Sequence, residues 1–184
     1  MNADARPCLR LPAAAGLDDL ATALRQLEEA ETQRRPVDLV QALGRVGRRY
    51  RELGHARAAA WYLRRGLHWA RTLGGVDASV DLLCELADAE VAIAGAASSD
   101  DDAAAARAAR ERARDHAFEA ASLARQCADP QWEVGVLLRV SDALARCGDH
   151  DDAAALQARA VHLVGSRHVN GTVEPRAPAP RRLM

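Results

Sequence analysis

LGRVGRRYRELGHARAAAWYLRRG, residues 43–66, and LLRVSDALARCGDHDDAAALQARA, residues 137–160, decide how this chain folds. In the first, Leu43, Val46, Gly47, Tyr50, Gly54, Ala59, Leu63 and Gly66 follow at gaps of three, one, three, four, five, four and three. In the second, Leu137, Val140, Ser141, Leu144, Gly148, Ala153, Gln157 and Ala160 follow at the same gaps. Steps of three and four place side chains on one face of a helix, and the glycine between the two runs ends the first helix. Each stretch therefore reads as helix, tight turn, helix. Gly47 or Ser141, with Ala59 or Ala153, lets the two helices approach closely, and Tyr50 or Leu144 fills the space beside them.

Working outward, the same periodicity predicts seven helices. Leu17, Leu20, Leu24 and Leu27 predict one over about 17–33, with Asp18 and Asp19 at its favourable N-terminal end. Pro36 starts a second, which stops at Gly54, and a third runs from about 57 to 73 before Gly74-Gly75. A fourth covers about 76–94. The segment AASSDDD is a loop rich in helix-capping residues, Ser98 and Ser99 among them, and an Ala-dense fifth helix covers about 103–127. The last two span about 131–147 and 151–164, the latter ending at Gly165. Turns of two to four residues make successive helices antiparallel neighbours. Residues 1–16 and 166–184 lack periodicity and carry scattered prolines, so both read as flexible tails.

Composition agrees with an all-α domain. The chain has 184 residues and is 49% hydrophobic, but it has six aromatic residues and a single isoleucine, Ile93, too few bulky and β-branched side chains for a sheet-based core. Much of its apolar content is alanine, and every basic residue is arginine, a usage that reads as the coding bias of a GC-rich bacterial genome. With 25 basic and 26 acidic side chains the net charge is -1, which argues against a general nucleic-acid binder. No apolar run reaches the roughly 18 residues of a membrane span, and the N-terminus lacks the continuous apolar region of a secretory signal, so a soluble, cytoplasmic protein is expected. Cys8, Cys84, Cys127 and Cys147 are far apart with no CxxC pair, so neither a disulfide framework nor a metal site is expected.

The paired helices resemble the tetratricopeptide repeat, a helix-turn-helix unit of about 34 residues with small side chains at the helix crossing. The resemblance covers about 37–165, with repeats at about 37–75, 76–129 and 130–165. The middle repeat is stretched, and Glu90 stands where Tyr50 and Leu144 stand in the others. The resemblance implies an α-α superhelix of three helix pairs, with the helix at 17–33 covering one end. Three pairs is close to the minimum for a stable array, so a homodimer formed through an uncovered end is a natural expectation.

The resemblance also implies that the first helix of each pair lines a concave groove and that a partner peptide or helix binds there. The side chains assigned to it are Gln41, Arg45 and Arg48 in the first repeat. Asp81, Glu85 and Asp88 follow in the second, and Arg139 and Asp142 in the third. Family members that clamp a C-terminal carboxylate use basic and amide side chains from adjacent repeats. Here only Arg45 and Arg48 match in type, so that activity is not carried over.

The near-neutral total hides two opposed blocks. Residues 34–71 hold ten arginines against Asp38 and Glu52, and residues 77–102 hold eight acids and no base. A helical stack sets these blocks side by side, which predicts an internal ladder in which Arg45 and Arg48 face Glu85 and Asp88, and these face Arg139. The competing expectation is that the basic block exceeds what its neighbour neutralises and steers an acidic partner. Trp61, Tyr62 and Trp69 lie near Arg64 and Arg65, but Trp61 and Arg65, four apart, read as a local cation–π pair rather than a base-stacking platform. His150-Asp151-Asp152 reads as a helix start, and His116 as part of a solvated face. No phosphate loop, nucleophile elbow or HExxH motif occurs, so neither enzyme activity nor a cofactor is expected.

Overall fold

The structure, a computed structural model, describes residues 14–96, 102–127 and 129–170. The described residues form seven α-helices: α1 (Ala14–Thr32), α2 (Pro36–Glu52), α3 (Ala56–Thr72), α4 (Val76–Gly95), α5 (Asp102–Ala124), α6 (Pro130–Cys147) and α7 (His150–Asn170). All seven predicted helices are present. The largest boundary difference is at α7, which passes through Gly165 and continues to Asn170 instead of stopping; a lone glycine costs a helix only about 1 kcal/mol. α1 likewise begins ahead of Leu17. Most of the two expected tails, and the loop at 97–101 with Ser98 and Ser99, lie outside the described residues.

Four of the connections share one design. The amide of residue 35, 55, 75 or 149 donates to the carbonyl five residues earlier, in Ala30, Tyr50, Ala70 and Leu144 respectively, which caps the preceding helix. The residue just before each donor has positive φ: Arg34 at 50°, Gly54 at 82°, Gly74 at 71° and Gly148 at 94°. Three are glycine, for which this conformation carries little cost, and Arg34 is the exception. Forty residues separate the starts of α2 (Pro36) and α4 (Val76), a longer unit than the 34 of the resemblance.

Each helix packs on the next, and α4 also touches α2 and α6. Among the described helices the second members of the pairs, α3, α5 and α7, do not touch one another. The row α2–α4–α6 is therefore the tighter one in the stack, an α-α solenoid. The central α4 buries residues all around its axis, including Val80, Leu83, Leu86 and Ala87. Facing it, the buried positions of α5 are all alanine, from Ala106 to Ala124, which lets the two longest-contacting helices lie close together. Ala59, Ala87, Ala153 and Ala160, the small residues at helix crossings, are all buried.

The repeats use their small residues differently. A Cβ on Gly47 would lie 2.5 Å from Cγ of the buried Leu63, so glycine is required there. In the last pair the equivalent of Leu63 is Gln157, which is exposed, and Ser141 occupies the place of Gly47 with its hydroxyl donating to the Leu138 carbonyl at 2.8 Å.

Candidate functional site

The row α2–α4–α6 carries a ladder of ion pairs. Glu85, buried on α4, forms ion pairs with three arginines: Arg48 and Arg51 of α2 (3.4 and 3.1 Å) and Arg139 of α6 (2.8 Å). Arg139 also reaches Asp88 at 3.0 Å, and Asp88 accepts in addition from Arg146, which pairs with Asp142 at 3.1 Å. Burial works against the charge on Arg139, but its hydrogen bonds to Glu85 and Asp88 outweigh that and raise its pKa above the ordinary arginine value. Asp81 sits one turn before Glu85. Loss of solvent around it pushes its carboxyl up, against the pull of Arg139 and Arg48.

All eight residues assigned to the groove lie on helices of this row: Arg48, Asp81, Glu85, Asp88, Arg139 and Asp142 in or beside the ladder, and Gln41 and Arg45 on exposed α2 surface. Arg45 departs from the expected ladder. It does not reach Glu85 or Asp88; its Nη1 donates to the Gln26 amide oxygen of α1 at 2.8 Å, because α1 flanks α2 on the side away from α4. Arg51, which is not among the residues assigned to the groove, is a ladder member.

Arg45 links two adjoining depressions at the α1 end of the groove. One, of about 420 Å³, is lined by residues that include Asp19, Gln26, Arg45, Arg48 and Glu52. The other, of about 260 Å³, is lined by residues that include Gln26, Glu29, Gln33, Asp38, Gln41 and Arg45. A larger cavity of about 590 Å³ lies between the α2–α3 turn, the end of α4 and the start of α5.

The remaining arginines of the basic block are divided among their neighbours. Arg49 pairs with Asp19 of α1, Arg65 with Glu31 of α1, and Arg71 with Glu119 of α5. Arg64 enters a second buried cluster that sequence reasoning did not find. Glu90 is fully buried at the core position that Tyr50 and Leu144 occupy elsewhere, and accepts from Arg64 of α3 at 2.6 Å and Arg112 of α5 at 2.8 Å. Burial opposes its charge, but the two hydrogen bonds win and hold the carboxyl below its ordinary value. The signal in the sequence was the misfit itself, an acid at a core position. His116, close enough to feel Glu90, is half-buried, not solvated as expected, and its Nε2 has no hydrogen-bond partner among the described residues; burial lowers its pKa.

Other features have local explanations. Arg65 lies 5.0 Å over the Trp61 ring, the expected cation–π pair, and Tyr62 stacks inward on Tyr50 at 5.3 Å. His150, Asp151 and Asp152 open α7, and Asp152 pairs with Arg114 at 2.8 Å. Burial pushes the Cys84 thiol up to about 12, so it stays protonated. Cys8 lies outside the described residues. Among the described residues no cluster of His, Cys, Asp or Glu is placed to hold a metal ion, and no helix is long and apolar enough to cross a membrane.

No family model matches the chain, and no curated protein matches it. Among solved structures it is similar to the de novo designed helical repeat protein DHR64, at 21% identity and a TM-score of 0.45, over 82% of this chain and 83% of that one. The DHF58 filament is similar at 20% identity and a TM-score of 0.44, over 85% and 84%.

Proposed function

We propose that the protein is a protein-interaction module, a tetratricopeptide-like scaffold that takes a partner's peptide or helix at the α1 end of its concave groove. The observation that supports this reading is the position of Arg45. Its only hydrogen-bond partner among the described residues is the neutral Gln26 amide, with no ion pair among them, and it stands between two open depressions that also expose Gln41 and Arg48. The chemistry fits an extended segment bearing a carboxylate, with amides alongside to bind its backbone. The test is affinity capture from the native cell with the wild-type chain and with Arg45→Glu. Because Arg45 lies outside the ladder, the variant should keep its melting temperature and lose the captured partner. Retention of the same partner at wild-type levels removes the reading.

The ladder favours a second reading, in which the groove is a stiffening seam and the protein is a structural or regulatory one whose main contact is its own copy. In that case Arg48→Glu, which sets a second acid against Glu85, lowers stability and leaves every complex of the protein unchanged.

A further inference from the structure

The first and last helix pairs are related by a shift of 94 residues, which takes Leu43 to Leu137 and Gly66 to Ala160. The same shift takes Gly44 to Leu138, Leu67 to Val161 and Ala70 to Val164. In the first pair this face is closed by α4. Leu67 and Ala70 are buried in the cluster that holds Leu82, Leu83 and Leu86 of α4, and Cδ2 of Leu82 lies 3.3 Å from where a Cβ on Gly44 or Gly66 would stand. In the last pair the equivalent face is open: Leu138 is 50% exposed, Val161 70% and Val164 49%. Among the described helices α7 packs on α6 alone, so nothing there plays the part of α4.

We infer that this open face of α6 and α7 docks the same face of a second copy of the chain about a two-fold axis. Three observations select that occupant. The face is almost free of charge: around Leu138 and Val161 it presents Gly135, Ala154 and Ala158, and its acid Asp142 is already paired with Arg146. Two identical faces of this kind meet without repulsion. The opposite end of the stack is unsuited to cover it, because the exposed side of α1 carries Asp18, Glu28 and Glu29 against Arg25, and head-to-tail stacking would strip water from those acids against an apolar surface. Two helices side by side, about 27 Å long and about 18 Å across, offer about 500 Å² per protomer, or about 1,000 Å² for the pair, which reaches the size of a specific interface. The surface borders the groove at Asp142, its apolar centre at Leu138 and Val161 lies outside the groove residues, and the dimer stands whether or not the groove takes a partner.

The test is sedimentation of the 184-residue chain from about 1 to about 200 μM, a range that brackets dissociation constants of ordinary homodimers. The expected result is a concentration-dependent mass that levels off at twice that of the chain. Val161→Glu and Leu138→Asp, both at exposed positions, should raise the dissociation constant at least about 100-fold while far-ultraviolet circular dichroism is unchanged, and Arg25→Glu should leave the dimer intact. A wild-type chain that stays monomeric throughout, a mass that keeps growing past the dimer, or a dimer indifferent to both substitutions overturns the inference.

Discussion

Cγ of Leu63 occupies the space that a side chain on Gly47 would need, 2.5 Å from the position of its Cβ. Leu63 is fully buried, so it has no free direction in which to withdraw. Gly47→Ala should therefore destabilise the fold by about 1 to 3 kcal/mol, a typical overpacking cost, as read by urea denaturation. Ser141, at the equivalent place over the exposed Gln157, should accept Ala with a loss of no more than about 1 kcal/mol. Equal costs at the two positions contradict this account.

Glu90 and its two arginines should respond unequally to substitution. Arg64 and Arg112 are about half exposed and can turn to water, whereas Glu90 cannot. Glu90→Leu, which restores the side-chain type of Leu144, should be close to neutral or stabilising, and the double variant Arg64→Ala with Arg112→Ala should cost about 2 to 4 kcal/mol by stranding a buried carboxylate. Thermal melts of the two variants at pH 7 decide it.

Two pH windows follow from buried groups whose values are depressed in the folded state. His116 stays neutral in the fold below its ordinary 6.5, so an unfolded chain takes up a proton there that the folded one refuses. Its contribution to stability is complete above 6.5 and is lost as pH falls from 6.5 through the lower folded value. Glu90 behaves likewise below its ordinary 4.5, where the unfolded chain binds the proton first. Denaturation midpoints measured between pH 7.5 and 4 should show the first loss in wild type and not in His116→Phe, while Glu90→Leu should flatten the loss below 4.5.

Arg34 holds φ at 50°, in the place where Gly54, Gly74 and Gly148 stand in the other turns. Arg34→Gly should relieve that conformation and stabilise the chain by up to about 1 kcal/mol, less what the freer unfolded chain takes back. A lower melting temperature for this variant counts against the strain.

The local code of this chain was plain to read. Gly54, Gly74 and Gly148 mark turns in sequence and in structure, and the small residues Ala59 and Ala153 lie at the crossings that their spacing implies. Part of the ladder was legible because Arg48, Glu85 and Arg139 recur at matching places in helices that must lie side by side. What escaped depended on helices whose relative placement the sequence leaves open. Arg45 turns to Gln26 because α1 lies against the far side of α2, and Glu90 tolerates its core position because Arg112 arrives from the following helix, 22 residues away. Periodicity identifies a face, and the identity of what meets that face is a tertiary matter.

α4 touches α2, α3, α5 and α6. In a long solenoid each unit meets only its two neighbours, and one end can melt while the other stays folded. Here the acids of α4 tie Arg48, Arg64, Arg112 and Arg139, one from each of those four helices, to a single central rod. Loss of α4 removes the inner wall of both outer pairs at once, so cooperativity runs across the array: calorimetric and van't Hoff enthalpies should agree, and the domain should melt as a single unit.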